Sequence, residues 1–256
     1  VYASGSNFGL LREQLWKPRY FFADNPATLR TGKQDGRVWA ETTITGAGGM
    51  MSFTHTRKRI TLWPGSPVAE VDWEIRNDPS SMTRYEYGPW MHNWVGTPGA
   101  VTHYFVPTVS GVEEFTLKPG ALRKQANIWY WEPARGWMAA VSEDPRQGIN
   151  TGLAFVVPYG NLACFYHWAG TSSPAATAEW RHGLVTLGPG ETFAAKYFVV
   201  PFFGLSRVDG VCLVSQPPAA PAAVIGAIEA KRVSETSAQV RVVVFNAGVK
   251  GDYQAE

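Results

Sequence analysis

The chain has 256 residues, 45% hydrophobic and 17% charged, enough to withdraw roughly three quarters of its unfolded surface into a core without staples. Its 23 basic and 21 acidic side chains leave a net charge of +2 and are scattered, so no basic stripe is offered to a nucleic-acid backbone. No apolar run approaches the roughly 20 residues that a membrane-spanning helix needs.

Cys164 and Cys212 have neither CxxC spacing nor a matching histidine pair, which argues against a metal site or redox motif. They read as two buried thiols, and nothing in the chain asks for a cofactor. The oddity is aromatic: 11 Trp, 10 Tyr and 13 Phe. Faces that large are costly in water unless they bind something. Val1 has no charged-then-apolar leader ahead of it. The expectation is therefore a secreted or cell-surface protein with its leader removed, or a piece of a longer chain.

In chain order, residues 36–45 and 50–57 read as strands. Residues 59–76, RITLWPGSPVAEVDWEIR, read as a β-hairpin turning at Pro64, Gly65, Ser66 and Pro67. From Val68 the alternation is strict: Ala69, Val71, Trp73 and Ile75 fall on one face, and Glu70, Asp72 and Glu74 on the other. That pattern fits a strand with one wet face. Further strands are predicted over 101–108, 127–132, 137–142, 151–157, 161–168, 178–186 and 192–201. Thr61-Leu62-Trp63-Pro64-Gly65 recurs as Thr116-Leu117-Lys118-Pro119-Gly120 and Thr186-Leu187-Gly188-Pro189-Gly190. The spacing is too uneven for a solenoid, so these are strand-to-strand corners.

No helical period interrupts these strands, which predicts an all-β fold, a large antiparallel β-sandwich over residues 1–215. The stretch QPPAAPAA, residues 216–223, reads as a semi-rigid linker. Residues 224–256, with Val240, Val242 and Val244 on one strand face, read as the start of an immunoglobulin-like segment.

KRITLWPGSPVAEVDWEIRND, then PWMHNW, then LGPGETFAAKYFVVPF resemble the supersandwich domains of the galactose-mutarotase-like superfamily, over about residues 36–214. That group includes aldose epimerases and the sandwich domains of polysaccharide lyases and glycosidases. The resemblance implies a sugar-contacting histidine in a short strand, and His92 stands in the similar position. It also implies a second histidine and a late glutamate. No segment here matches the glutamate's, and Glu191 falls in a proline-glycine corner, where exposure is usual.

GPWMHNWVG, residues 88–96, puts Trp90, His92 and Trp94 on one face if extended, with Met91, Asn93 and Val95 on the other. Indole faces suit the C–H faces of pyranoses, and imidazole titrates near neutrality. Equally, the tryptophans could pack between sheets. NIWYWEPARGW, residues 127–137, offers Trp129 and Trp131 as a groove wall or as a strand buried on both sides. In NLACFYHWAG, residues 161–170, Cys164, Tyr166 and Trp168 oppose Phe165 and His167, so Tyr166 and His167 compete as site residues. AEWRHG, residues 178–183, offers either Glu179 with Arg181 or Trp180 with His182, and two charges on one strand face usually form a surface pair of small worth. His55 and His103 read as structural.

Elimination on a uronic acid needs a cation or amide at the carboxylate and a tyrosine or histidine for the proton. Arg84, Asn93, His92 and Tyr166 are the matching types. Hydrolysis wants paired carboxylates, and no such motif stands out. The sequence thus predicts an extracellular carbohydrate-active or carbohydrate-binding protein that recognises a glycan in a sandwich cleft. Its candidate catalytic residues are His92, Tyr166 and Arg84, and its candidate substrate contacts are Trp90, Asn93, Trp94, Trp129, Trp131, His167 and Arg181. The alternative is a non-catalytic module of a surface or filament protein that self-assembles or contacts neighbouring domains.

Overall fold

The computed structural model describes residues 9–248 apart from 98, 119, 121, 123, 144–147, 172, 174, 235 and 236. Its strands, in chain order, are β1 (Arg12–Lys17), β2 (Arg19–Phe21), β3 (Ala27–Gln34), β4 (Arg37–Thr45), β5 (Thr54–Leu62), β6 (Ala69–Asn77), β7 (Tyr85–Val95), β8 (Val101–Thr108), β9 (Gly111–Leu117) and β10 (Ala126–Trp131). They continue as β11 (Trp137–Glu143), β12 (Thr151–Val156), β13 (Leu162–Ala169), β14 (Ala176–His182), β15 (Val185–Leu187), β16 (Thr192–Phe203), β17 (Gly210–Ser215), β18 (Ala222–Arg232) and β19 (Ala238–Ala247).

Two antiparallel sheets make the sandwich. One has seven strands in the order β10-β13-β14-β7-β1-β2, with β15 also paired to β7; the other has nine, β3-β4-β5-β6-β16-β12-β11-β8-β9. The core between them contains Trp73, Tyr87, Met91, Tyr104, Phe155, Phe165, Trp180 and Tyr197, all fully buried. Each such side chain contributes about 1.5–3 kcal/mol through its burial.

Alternation accounts for which side chains point inward. Val71, Trp73 and Ile75 of β6 enter the core while Asp72 and Glu74 join an outer ladder of ion pairs with Lys196 and Arg57. Glu70, on the face expected to be wet, is nonetheless buried, and holds the Trp63 indole N–H and Lys196. At all three Thr-Leu-x-Pro-Gly phrases the strand ends at the leucine. Gly65, Gly120 and Gly190 follow with φ of 73°, 71° and 80°, which only glycine adopts freely.

Residues 210–248 depart from the expected organisation. β17 is hydrogen-bonded to β18, so residues 216–221 connect neighbours within one three-stranded sheet, where a linker between bodies was expected over 216–223. That sheet lays Ala223, Ile225, Ala227 and Ala247 on Phe198, Val200 and Phe202 of the nine-stranded sheet and shares a second core with them. Both cysteines are free thiols; Cys164 is buried, and Cys212 is exposed because β17 turns it away from that core.

Candidate functional site

One face of the seven-stranded sheet is core. The other carries a cleft of about 470 Å³, lined by side chains from six of its strands and by Gln125 just ahead of β10. Cross-strand register assembles it. One row runs Trp129, Tyr166, Glu179, His92 and Arg12; the next runs Trp131, Cys164, Arg181, Trp90, Gln14 and Phe21. Directly opposite residues on adjacent strands lie about 5 Å apart, so each row is a line of touching side chains. The cleft exists because β7, β13 and β14 each bury their odd or even set and present the other: Met91, Phe165 and Trp180 go inward, His92, Tyr166 and Glu179 outward.

At the floor, His92 Nε2 lies 3.6 Å from Glu179 Oε1. Burial pushes the imidazole down to about 3, helped by the charge of Arg12. Burial likewise pushes the Glu179 carboxyl up to about 8, against smaller opposing effects of Thr177, Trp90 and Arg181. At neutral pH the pair is therefore a protonated carboxyl beside a neutral imidazole. His92 Nδ1, Arg181 Nε and Gln14 Oε1 are all buried without a hydrogen-bond partner. Native cores rarely leave polar atoms so, and here three belong to one cleft.

The walls are aromatic. His92 meets Trp90 and Trp94 edge-on, and Trp94 meets Trp168. The Arg181 guanidinium lies between the rings of Trp90 and Trp129, 4.4 and 4.5 Å from their centroids. Trp129 stacks in turn on Tyr166 at 4.0 Å, and on Trp131 at 5.4 Å. Trp131 is 64% exposed at the edge of the sheet. Tyr166 donates its hydroxyl to Asn127 Oδ1 at 2.6 Å, and burial raises its pKa to about 12. Trp16 lies flat over Gly88, where an added Cβ would meet the indole at 2.4 Å; its N–H donates to the His182 carbonyl.

The structure thus brings together His92, Tyr166, Trp90, Trp94 and Arg181 in the cleft, with Trp129 and Trp131 along its edge. Three other candidates stand elsewhere. Asn93 points into the core, accepting from the Leu11 N–H and donating to the Ala178 carbonyl. His167 is on the core face of β13, packed on Tyr104 and hydrogen-bonded through Nδ1 to the Thr177 carbonyl. Arg84 is exposed just ahead of β7, beside Glu191 of the corner after β15. His55 and His103 are paired with acids on the outer sheet. Trp180 and His182 are core, so the charged face of AEWRHG is the one that lines the cleft. Glu179, at 1% exposure, lies in the floor of the cleft, where a surface pair with Arg181 was expected.

Sequence reasoning missed Arg12, Gln14, Trp16, Arg19, Phe21, Gln125, Asn127 and Trp168 as lining residues. The signal for Glu179 was the apolar run Ala176, Ala178, Trp180 interleaved with it, which marks a strand in the middle of a sheet. Among the described residues no cluster of three or more His, Cys, Asp or Glu could hold a metal.

No family model matches the sequence, and no curated protein matches it. Solved structures do match. Slr1438 from Synechocystis sp. PCC 6803 superposes with a TM-score of 0.52 at 11% identity, over 71% of this chain and 68% of that one. A proposed aldose 1-epimerase from Klebsiella pneumoniae gives 0.52 at 10% identity, over 70% of this chain and 55% of the other. The fold is the galactose-mutarotase-like sandwich. A galactose mutarotase-like protein from Lactobacillus casei superposes at 0.47 with 14% identity, over 72% and 76% of the two chains. This chain spans a little over half the length of the Klebsiella protein, and at these identities the mutarotase-like likeness is one of fold.

Proposed function

We propose that this mutarotase-like sandwich recognises a saccharide in its cleft, and that the His92–Glu179 pair exchanges a proton with it. The observation that carries the reading is the neutral carboxyl–imidazole pair set between indoles, at the floor of an open cleft. Pyranose C–H faces would lie on Trp90, Trp94 and Trp168. His92 is the more accessible member of the pair and would meet the sugar. Glu179 lies beneath it as the proton reservoir: when the imidazole takes a proton, the carboxyl can release its own and form an ion pair. Such a pair can shuttle a proton at pH 7 without leaving a lone charge buried. The pair resembles the histidine and late glutamate of the epimerases in residue type, which favours proton transfer at the sugar over hydrolysis. A secreted or cell-surface setting remains part of this proposal.

The test is a glycan array followed by turnover assays on wild type, Trp90→Ala, His92→Ala and Glu179→Gln. Binding lost in Trp90→Ala, with turnover lost but binding kept in Glu179→Gln, is the expected result. Binding with no turnover of any bound glycan would reduce the protein to a binding module. A folded wild type that binds no glycan would overturn the reading in favour of a structural module.

A further inference from the structure

Arg12, Arg19 and Arg181 line the cleft against a single acidic residue, Glu179, whose burial keeps it protonated near neutrality. The cleft is therefore cationic even though the whole chain is nearly balanced. Several arginines elsewhere are matched with acids: Arg57 and Arg59 with Glu41, Arg37 with Asp35, Arg207 with Asp209. Among the described residues no carboxylate forms an ion pair of this kind with Arg181 or Arg19; both guanidinium groups lie over aromatic rings. Arg181 is the more telling, since it is half-buried, and burial lowers its pKa below the ordinary guanidinium value. A half-buried cation in contact with two indoles, 4.4 and 4.5 Å from their centroids, is restrained before any ligand arrives. Its remaining N–H groups form a planar fork suited to two anionic oxygens.

We infer that the saccharide taken by this cleft is acidic, with a carboxylate or sulfate ester seated on Arg181, Arg19 at the rim, and the pyranose ring against the neighbouring indoles. This rests on the cleft being a saccharide site. A neutral sugar would use the tryptophans equally well but leave both arginines without a counter-charge. A charge-assisted bidentate contact predicts a preference of about tenfold or more over the neutral analogue. Added salt should weaken that preference, since part of the attraction is long-range.

The experiment is calorimetric titration of the full chain with three size-matched ligands: a galacto-oligosaccharide, the corresponding oligogalacturonate, and a sulfated galacto-oligosaccharide. Arg181→Gln, Arg181→Lys and Arg19→Gln are titrated alongside the wild type. The expected result is that one acidic ligand binds at least about tenfold more tightly than the neutral one. That preference disappears in Arg181→Gln, is partly kept in Arg181→Lys and falls in Arg19→Gln, whose exposed side chain can change without disturbing the core. Which acidic ligand is preferred identifies carboxylate or sulfate. Equal affinity for the neutral and acidic ligands, or a preference that survives Arg181→Gln, overturns the inference while leaving the saccharide reading standing. Failure to bind any saccharide, here and on the array, removes both.

Discussion

Replacing Glu179 by glutamine should stabilise the protein, and the gain should depend on pH. The side chain is 1% exposed, and its carboxyl is raised from 4.5 to about 8 in the folded state. Between those values the folded chain keeps a proton that the unfolded chain has released. The stability that Glu179 contributes is therefore fully present below pH 4.5 and is lost as pH rises through 8, at about 1.4 kcal/mol per pH unit. Glutamine has the same shape and stays neutral in both states, so it escapes this loss. The advantage of Glu179→Gln over wild type should be close to zero near pH 4.5 and reach roughly 3 kcal/mol at pH 7. His92, His167 and His182 have depressed values, so each adds stability that is lost as pH falls below 6.5, but those contributions are common to both proteins and cancel in the difference. Urea unfolding followed by tryptophan fluorescence at pH 5, 6, 7 and 8 measures it. A difference that is constant across this range, or a wild type more stable at pH 7, would refute the claim that Glu179 is buried and protonated.

The other predictions concern the frame around the cleft. Lys58 of β5 pairs with Glu13 of β1 at 2.8 Å across the sandwich, both side chains largely buried. Lys58→Met should cost about 3–5 kcal/mol by stranding the carboxylate, and the double variant Lys58→Met/Glu13→Leu should recover much of that in the same denaturation assay. Gly88→Ala should destabilise by about 1–3 kcal/mol through overpacking and weaken saccharide binding, because the new methyl displaces Trp16 from the cleft wall; unchanged affinity in a titration would contradict this. In native protein at pH 8 a thiol reagent should modify Cys212 alone, since Cys164 is buried with its thiol pushed up to about 11. A second equivalent should appear only in denaturant.

The corners and most strands of the sandwich were legible because they are local. Proline-glycine after leucine stops a strand wherever it falls, and the alternation from Val68 sets the faces of β6 without help from neighbours. The same alternation was enough to unite Trp90, His92 and Trp94. It could not say which face of β13 was core, because Tyr166 and His167 are both amphipathic and only the opposite sheet, with Tyr104 and Phe115, decides it. β1 escaped notice since its inward set is Glu13 and Leu15: an acid neutralised by a lysine 45 residues away in sequence removes the hydrophobic signature that periodicity reads. Glu179 was misjudged for a related reason. Its partner His92 is a cross-strand neighbour 87 residues earlier, and no spacing rule within the chain connects them.

Core and cleft are interleaved, residue by residue, along β7, β13 and β14. A one-residue insertion or deletion within β14 would turn Trp180 into the cleft and drive Glu179 and Arg181 into the apolar interior. Insertions and deletions should therefore be tolerated only in the turns between these strands, while single substitutions on the outward set can alter the cleft without touching the packing beneath. The sheet behaves as a printed page whose two sides can be edited separately, provided that no letter is added to the line.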